Sequence, residues 1–488
     1  MSLSDLRKTR LEKLEKLQKA GVNAYPAVSG RTHAIAQAVE NFDEFAKKEM
    51  ELVLAGRVMA KREHGGSAFL DINDGSNGIQ LFLNKDEMGD KEYDFFMDTV
   101  DIGDFIEARG TLFKTKAGER TLLTTRYSLL TKSLLPLPEK WHGLQDVEER
   151  YRKRYLDLIF NPEVRAKFEA RNKTIEHLRQ YLVANGFLEV ETPILQTIAG
   201  GALAKPFATH LETLDLDLYL RIAPELYLKR LLVGSFEKIF EIGRNFRNEG
   251  MSREHNPEFT MLEFYAAYWD YEQGMEFIEK MLGHVVEKQF GGHDFKYQDK
   301  KINFTIPFKR VTFGDLFKQY AGLDYDEAGE DDLKEKASDL EIKIEKKMTK
   351  GNISDEIYKK VARPYIIDPT FVINHPLEIS PLAKKITGDP AHVARFQLIV
   401  GGMEVANAFS ELNDPLDQRE RFEAQEKARK KGDEEAQRLD EDYIEALEHG
   451  MPPACGIGIG LDRLVALLTD SHSIREVILF PLMKPRSD

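Results

Sequence analysis

Apolar and polar positions alternate in five short runs early in the chain, at 52–58, 67–72, 79–83, 105–111 and 127–130, bounded by turns rich in Gly and Asp. A period of two buries one face of a strand, and five such strands predict a small closed barrel over about 52–132. Ahead of it, Leu6, Leu11, Leu14 and Leu17 recur at helical spacing among Arg7, Lys8, Arg10, Lys13, Lys16 and Lys19. Pro136 and Pro138 then break regular structure. A charged helical pattern at 147–159 leads to Ile175, Leu178 and Leu182, a Gly186 stop and a strand at 187–193. Alternation returns at 239–242 and, after Pro257, at Phe259, Met261, Glu263 and Tyr265. Gly401-Gly402 joins a hairpin of 396–400 and 403–405, and the Lys-, Glu- and Asp-rich residues 325–362 predict a small helical insertion. The pattern predicts an α+β chain with a helix and barrel at 1–136, a linker at 137–158 and a larger domain at 159–488.

Hydrophobic residues at 42% and charged residues at 31% describe an ordinary globular protein. No apolar run approaches the roughly 20 residues of a membrane span, and the first residues lack a signal-peptide core. A single cysteine, Cys455, forbids an intrachain disulfide, and the expectation is a reducing, cytoplasmic setting. Cys455 itself reads as a small packed residue. A net charge of −14 does not exclude nucleic acid, because counterion release needs only a local basic track. The N-terminal basic helix offers one; its other reading is an amphipathic helix packed on the body. The acidic runs 324–332 and 433–442 read as exposed helices or loops.

Chemistry concentrates in Phe246-Arg247-Asn248-Glu249 and, past a polar loop containing Gly250, in His255, Glu258 and Phe259. A guanidinium is always charged and holds a carboxylate or phosphate through two parallel hydrogen bonds, while a phenyl ring stacks on a flat base. Taken alone, the element is a surface hairpin with a solvated Arg/Glu pair. Far downstream, Gly456, Gly458 and Gly460 clear one face of a strand so that a flat ligand can lie on the backbone, and Arg463 opens a helix with Leu464, Leu467 and Leu468. Their G-x-G-x-G spacing does not fit a dinucleotide fingerprint.

The helix and strand ending at Pro193, the Arg247 hairpin and the Gly456 strand, in this order, resemble motifs 1, 2 and 3 of the class II aminoacyl-tRNA synthetases. Ala199-Gly200-Gly201-Ala202, Arg221-Ile222-Ala223-Pro224-Glu225-Leu226-Tyr227, Asn256-Pro257-Glu258-Phe259-Thr260, Ser380-Pro381-Leu382-Ala383-Lys384 and Phe409-Ser410-Glu411-Leu412-Asn413-Asp414 are similar to the lysyl enzymes of bacterial type, over nearly the whole chain. The resemblance implies an OB-fold anticodon-binding barrel joined to a catalytic domain built on an antiparallel sheet flanked by helices. It also implies ATP-dependent activation of lysine to lysyl-adenylate, transfer to the 3′ end of tRNA(Lys), a requirement for Mg2+, and a homodimer contact through the 164–182 helix and the strand after it.

By that resemblance Arg247 is the catalytic residue, bridging the lysine carboxylate and the α-phosphate of ATP. Glu249 and Phe259 hold adenine, His255 and Arg463 the outer phosphates, and Glu404 magnesium. Glu263, Tyr265 and Glu411 receive the side-chain ammonium, Gly201 and Glu225 the α-ammonium, and Arg247 with Asn407 the carboxylate, with Phe409 and Gly460 in the same pocket. Arg57, Phe69 and Gln80 contact the anticodon. Without the resemblance, Phe69 reads as barrel core and Glu225 as a first-turn helix carboxylate. One position departs from the family: Gln397 stands where lysyl enzymes carry a second magnesium-binding glutamate, and an amide oxygen coordinates without bringing charge. Strict alternation puts Glu404 on the opposite face from Asn407 and Glu411, so one shared cleft requires a β-bulge between Val405 and Asn407.

Two other kinds of function fit less well. A paralogue that lysylates a protein would keep the pocket without the barrel, and a non-catalytic tRNA-binding regulator would lose the phosphate arginines Arg247 and Arg463. Aspartyl and asparaginyl relatives need a cation deep in the pocket, where this chain has Glu263 and Glu411.

Overall fold

The computed structural model describes residues 2–138, 145–345, 348–430 and 436–486. They form two compact units, 1–150 with 155–160, and 151–154 with 161–488. The fold is mixed α+β. No described helix is long and apolar enough to cross a membrane.

In the first unit the strands Leu52–His64, Ser67–Asn73, Gly78–Asn84, Phe105–Lys114 and Arg120–Thr131 close into a barrel, the last strand lying between the third and fourth. Alternation sets the inside: Leu54, Val58, Leu70, Ile72, Leu81 and Ile106 are buried. Each side chain of this size removed from water contributes about 1.5–3 kcal/mol. The barrel closes so tightly at Gly110 that a Cβ there would lie 1.8 Å from the Leu123 carbonyl oxygen. The N-terminal helix Leu3–Lys19 packs against this unit. Arg10 is buried and donates to the carbonyls of Ser133 and Ile102, at 2.9 and 2.8 Å, while Lys13 and Lys16 pair with Asp101 and Asp98. Part of the basic row is thus spent holding the helix down.

The second unit is organised by a nine-stranded sheet. Its order is Lys309–Thr312, Thr370–Pro376, Asp389–Val400, Met403–Ser410, Ala454–Gly460, Glu258–Ala267, Lys238–Phe246 and Leu188–Glu189, with Lys385–Ile386 added beside Asp389–Val400. Only the two outermost pairings of that path are parallel. One face carries Leu262, Phe264, Val405, Ala406, Ile457 and Ile459 onto the long helix Tyr271–Phe290, forming the main core. The opposite face is the functional one.

Two elements differ from expectation, and a third is helical as expected. The strand at 187–193 shrinks to Leu188–Glu189: Val190 N–H still reaches the Phe240 carbonyl, but Thr192 then turns its amide and hydroxyl onto the Glu241 carboxylate. The pattern at 147–159 splits into two helices, Val147–Arg152 and Arg154–Phe160. In the 325–362 insertion, Glu330–Asp339 and Lys350–Val361 pack on the preceding helix Phe313–Ala321. Positions 139–144 of the expected linker, and 433–435 of the second acidic run, lie outside the described residues.

Candidate functional site

The floor of the site is the strand Ala454–Gly460. Tyr265 and Phe409 flank Gly456 in register, and Glu263 and Asn407 flank Gly458. Side chains on the two outer strands therefore face one another across a backbone that carries none. A Cβ on Gly456 would come within 2.1 Å of Glu411 Oε1 and 2.3 Å of the Tyr265 ring. Above the floor is a cavity of about 310 Å³, lined by Gly201, Glu225, Arg247, Glu249, His255, Phe259, Glu263, Tyr265, Glu404, Asn407, Phe409, Gly460 and Arg463, among others. Of the residues expected around lysine, ATP and metal, only Glu411 and Gln397 fall outside this lining.

Glu404 and Asn407 share the face because the hairpin is bulged. Ile399 pairs with Glu404 and Leu398 with Ala406, so Val405 has no partner of its own. The extra residue sits at the edge of the expected interval. Gln397 lies opposite Asn407 and donates from Nε2 to Glu404 Oε2 at 3.1 Å. Its Oε1 is buried and meets no donor among the described residues.

One end of the cavity is acidic. Glu263 is 5% exposed, accepts a hydrogen bond from Tyr265 Oη at 3.1 Å, and has its carboxyl pushed up to about 8 by burial and then by the charge of Glu225. Glu225 begins the helix Glu225–Val233 and accepts from Lys229 Nζ, one turn on, at 2.6 Å. Lys229 also ion-pairs with Glu411, so that carboxylate is held by a lysine of the chain itself. Burial alone would discharge the Lys229 ammonium, but the charges of Glu225 and Glu411 outweigh it and push its pKa up.

The other end is cationic. Arg247 follows the strand Lys238–Phe246, donates from Nε to the Ile222 carbonyl and lies over the Phe259 ring, 5.1 Å from its centre. Arg463 is placed by its neighbour Asp462, which accepts from Thr260 N–H at 2.8 Å and pairs with Arg171 at 2.6 Å. Its guanidinium donates to the carbonyls of Glu254 and Glu404 and faces His255 Nε2 at 3.1 Å. Because a guanidinium only donates, Nε2 accepts, and the ring proton sits on Nδ1 toward Ser252 Oγ. Desolvation and the charges of Arg463 and Arg363 hold this imidazole down to about 4.

Motif reasoning missed two residues, Arg395 in the wall and Lys229 behind it. Arg395, two positions before Gln397, donates from Nε to Asn407 Oδ1 at 2.9 Å and from Nη1 to Ile379 O and Ser380 Oγ. It fixes the Asn407 amide, whose NH2 meets no acceptor among the described residues. Lys229 had a sequence signal, a lysine four residues after Glu225 in an apolar helix between Leu228 and Leu232. In the barrel, Phe69 is half-buried rather than core and packs on Phe82, ring centres 4.9 Å apart. Gln80 Oε1 accepts from Thr121, while Arg57 lies over Phe105 and donates to the Gly103 carbonyl.

Residues 146–484 match the family described as tRNA synthetases class II (D, K and N), and residues 52–130 match the OB-fold nucleic acid binding domain. The chain is 52% identical to a lysine–tRNA ligase of Carboxydothermus hydrogenoformans over 99% of both chains. It is 50% identical to one of Pelotomaculum thermopropionicum over 99% of this chain and 96% of that one. With the lysine–tRNA ligase of Bacillus cereus the identity is 48%, over 100% and 98%.

The raised Glu263 carboxyl has a defined pH signature. In the unfolded chain it titrates near 4.5 and in the folded protein near 8, so between these values the folded state holds the proton that the unfolded state has lost. Its contribution to stability is complete below pH 4.5 and is lost as pH rises through 8. Urea unfolding of the unaltered protein and of Glu263→Gln across this range should show the unaltered protein losing stability relative to the variant; parallel curves would mean an ordinary carboxyl.

Proposed function

The chain belongs to the class II tRNA synthetases and acts as a lysine–tRNA ligase, and we propose that the glycine-floored cavity is where its lysine and ATP react. The observation that carries this reading is the layout of the cavity, with the buried carboxylates Glu225 and Glu263 at one end, the guanidiniums of Arg247 and Arg463 at the other and bare backbone between. Lysine laid along it meets Glu263, Tyr265 and Glu411 with its side-chain ammonium, and Glu225 beside Gly201 with its α-ammonium. Its carboxylate reaches Arg247 and the free NH2 of Asn407, with Phe409 and Gly460 against the stem.

The carboxylate oxygen then attacks the α-phosphorus, and pyrophosphate leaves with the electrons of the broken P–O bond. No side-chain nucleophile is needed, so positioning and charge stabilisation supply the rate. Arg247 spans the carboxylate and the α-phosphate. Phe259 and Glu249 hold adenine, and Arg463 with neutral His255 holds the outer phosphates. In the second step the terminal ribose hydroxyl of tRNA attacks the acyl carbon and AMP departs. The barrel ahead of the catalytic unit favours tRNA as acceptor over a protein. On it, Phe69 offers a stacking face and Gln80 its NH2 to an anticodon base, whereas the Arg57 guanidinium is engaged within the barrel and contributes charge.

Magnesium fits this donor set. Glu404 supplies a carboxylate and Gln397 an unpartnered amide oxygen beside it, both hard oxygen donors. When bound, the ion neutralises phosphate charge. The chain also presents Val183, Leu188, Ile194 and Leu195 as exposed apolar residues along the end of the helix Pro162–Ala184 and the segment after it, which supports a homodimer through this element.

Lysine-dependent exchange of pyrophosphate into ATP, tested against all amino acids, checks the substrate. Charge reversal in Glu263→Lys should remove about 3–5 kcal/mol of lysine affinity, hundreds- to thousands-fold, with ATP binding nearly intact. Phe69→Ala should leave exchange unchanged and slow tRNA charging. Lysine constants equal to the parent in Glu263→Lys would refute the pocket. In a magnesium titration at saturating ATP, Gln397→Glu should lower the half-maximal concentration without changing the lysine constant, and superimposable curves would remove position 397 from the metal site. Sedimentation at micromolar concentration should give twice the chain mass; a species of one chain mass alone would exclude the dimer.

A further inference from the structure

Beneath the cavity lies an ammonium that the reaction does not obviously need. The Lys229 side chain has no exposure, yet its Nζ sits 2.6 Å from Glu225 Oε1, against Glu411 Oε2, and 5.2 Å from the centre of the Phe409 ring. Apart from Lys229, no described donor reaches the Glu411 carboxylate, which is 1% exposed. Its Oε1 points to the space above Gly456, beside Tyr265. Glu225, Glu263 and Glu411 are thus three carboxylates buried around one small volume with a single cation of the chain wedged between two of them.

We propose that Lys229 is a positioning and specificity-determining residue of the lysine pocket, whose buried ammonium clamps Glu225 and Glu411 and cancels one of the three carboxylate charges, so that a substrate with two ammonium groups completes the neutralisation. The proposal rests on the reading of this cavity as the lysine pocket. With Arg247 matched by the substrate carboxylate and Arg395 turned to Asn407, three ionised carboxylates count −3, Lys229 brings the sum to −2, and the two ammoniums of lysine bring it to zero. An amino acid with one ammonium leaves one buried carboxylate to be protonated, and an unpaired buried charge is expensive. The clamp also opposes protonation of Glu411 before substrate arrives. Burial and two acidic neighbours push its carboxyl upward, and Lys229 is the force pulling the other way. Lys229 touches neither substrate nor reacting atoms; it acts through Glu225 and Glu411, which span the distance from the α-ammonium to the side-chain ammonium.

The test is a proton count. If Lys229 keeps Glu225 and Glu411 ionised, the empty pocket at pH 7 holds one proton, on Glu263, whose carboxyl is raised to about 8, and the incoming ammonium expels it. Calorimetry of lysine binding in buffers of different ionisation enthalpy should therefore report about one proton released. Lys229→Met keeps the length of the stem and removes the charge, so Glu411 enters the empty pocket protonated. Lysine binding should weaken about a hundredfold and release about two protons. Adding Glu411→Gln to Lys229→Met should cost little, although Glu411→Gln alone costs much, a coupling that a merely structural lysine does not produce. An unchanged lysine constant and proton count in Lys229→Met would overturn the proposal. Should that variant not fold, the count on the unaltered protein decides: about one proton supports the clamp, and two or more overturn it, because Lys229 would then not be holding its partners ionised. Failure of the unaltered protein to exchange pyrophosphate with lysine would instead remove the pocket reading itself.

Discussion

A strand without side chains on one face is the constraint from which the rest of the site follows. Gly456, Gly458 and Gly460 lie at the centre of the sheet, where Ile457 and Ile459 bury themselves in the core on the reverse side. Bare backbone on the front lets two outer strands lean their long side chains over the gap, and it lets Glu411 and Tyr265 approach the same point. Any side chain at Gly456 would fill the space that gives the acidic end its depth. The cavity is thus a consequence of sheet register more than of loops folded over a surface.

Register also decides which chemistry meets which. Phe409, Asn407 and Glu404 come from the outgoing strand of one hairpin, and Arg395 and Gln397 from the incoming strand. The arginine orients the amide of Asn407, and the glutamine orients the carboxylate of Glu404. Asn407 and Glu404 each have a neighbour that determines which of their atoms points outward. The same logic holds across the sheet, where Asp462 fixes the start of the helix carrying Arg463.

The barrel and the central strands were legible because alternation is a local property, and strand pairing prolonged them without moving them. The strand expected at 187–193 failed for a reason outside its own sequence, since Glu241 of a neighbouring strand captures Thr192. Arg247, Glu263 and Asn407 could be placed because their spacing resembles a family, while their common cleft depended on a bulge inferred from that requirement. Lys229 was legible only in part: its spacing from Glu225 suggests one ion pair, but Glu411 is distant in sequence and nothing local says that a lysine on a helix will be sealed from water. Phe69 shows the opposite limit, because periodicity alone assigns it to the barrel interior, whereas its ring lies half-buried on Phe82.

The unpartnered Val405 imposes a rule of parity on this part of the chain. Between the Gly401-Gly402 turn, where both glycines have positive φ, and Asn407, the hairpin converts an odd spacing into a shared face by spending one residue on the bulge. Removing any single residue there would either straighten the ladder or send Asn407 and Phe409 into the core and Ala406 and Ala408 into the cleft. Length changes in this hairpin are therefore tolerable only in pairs, or where the bulge itself absorbs them. The segment behaves as a reading frame of two, with Val405 as its built-in frameshift.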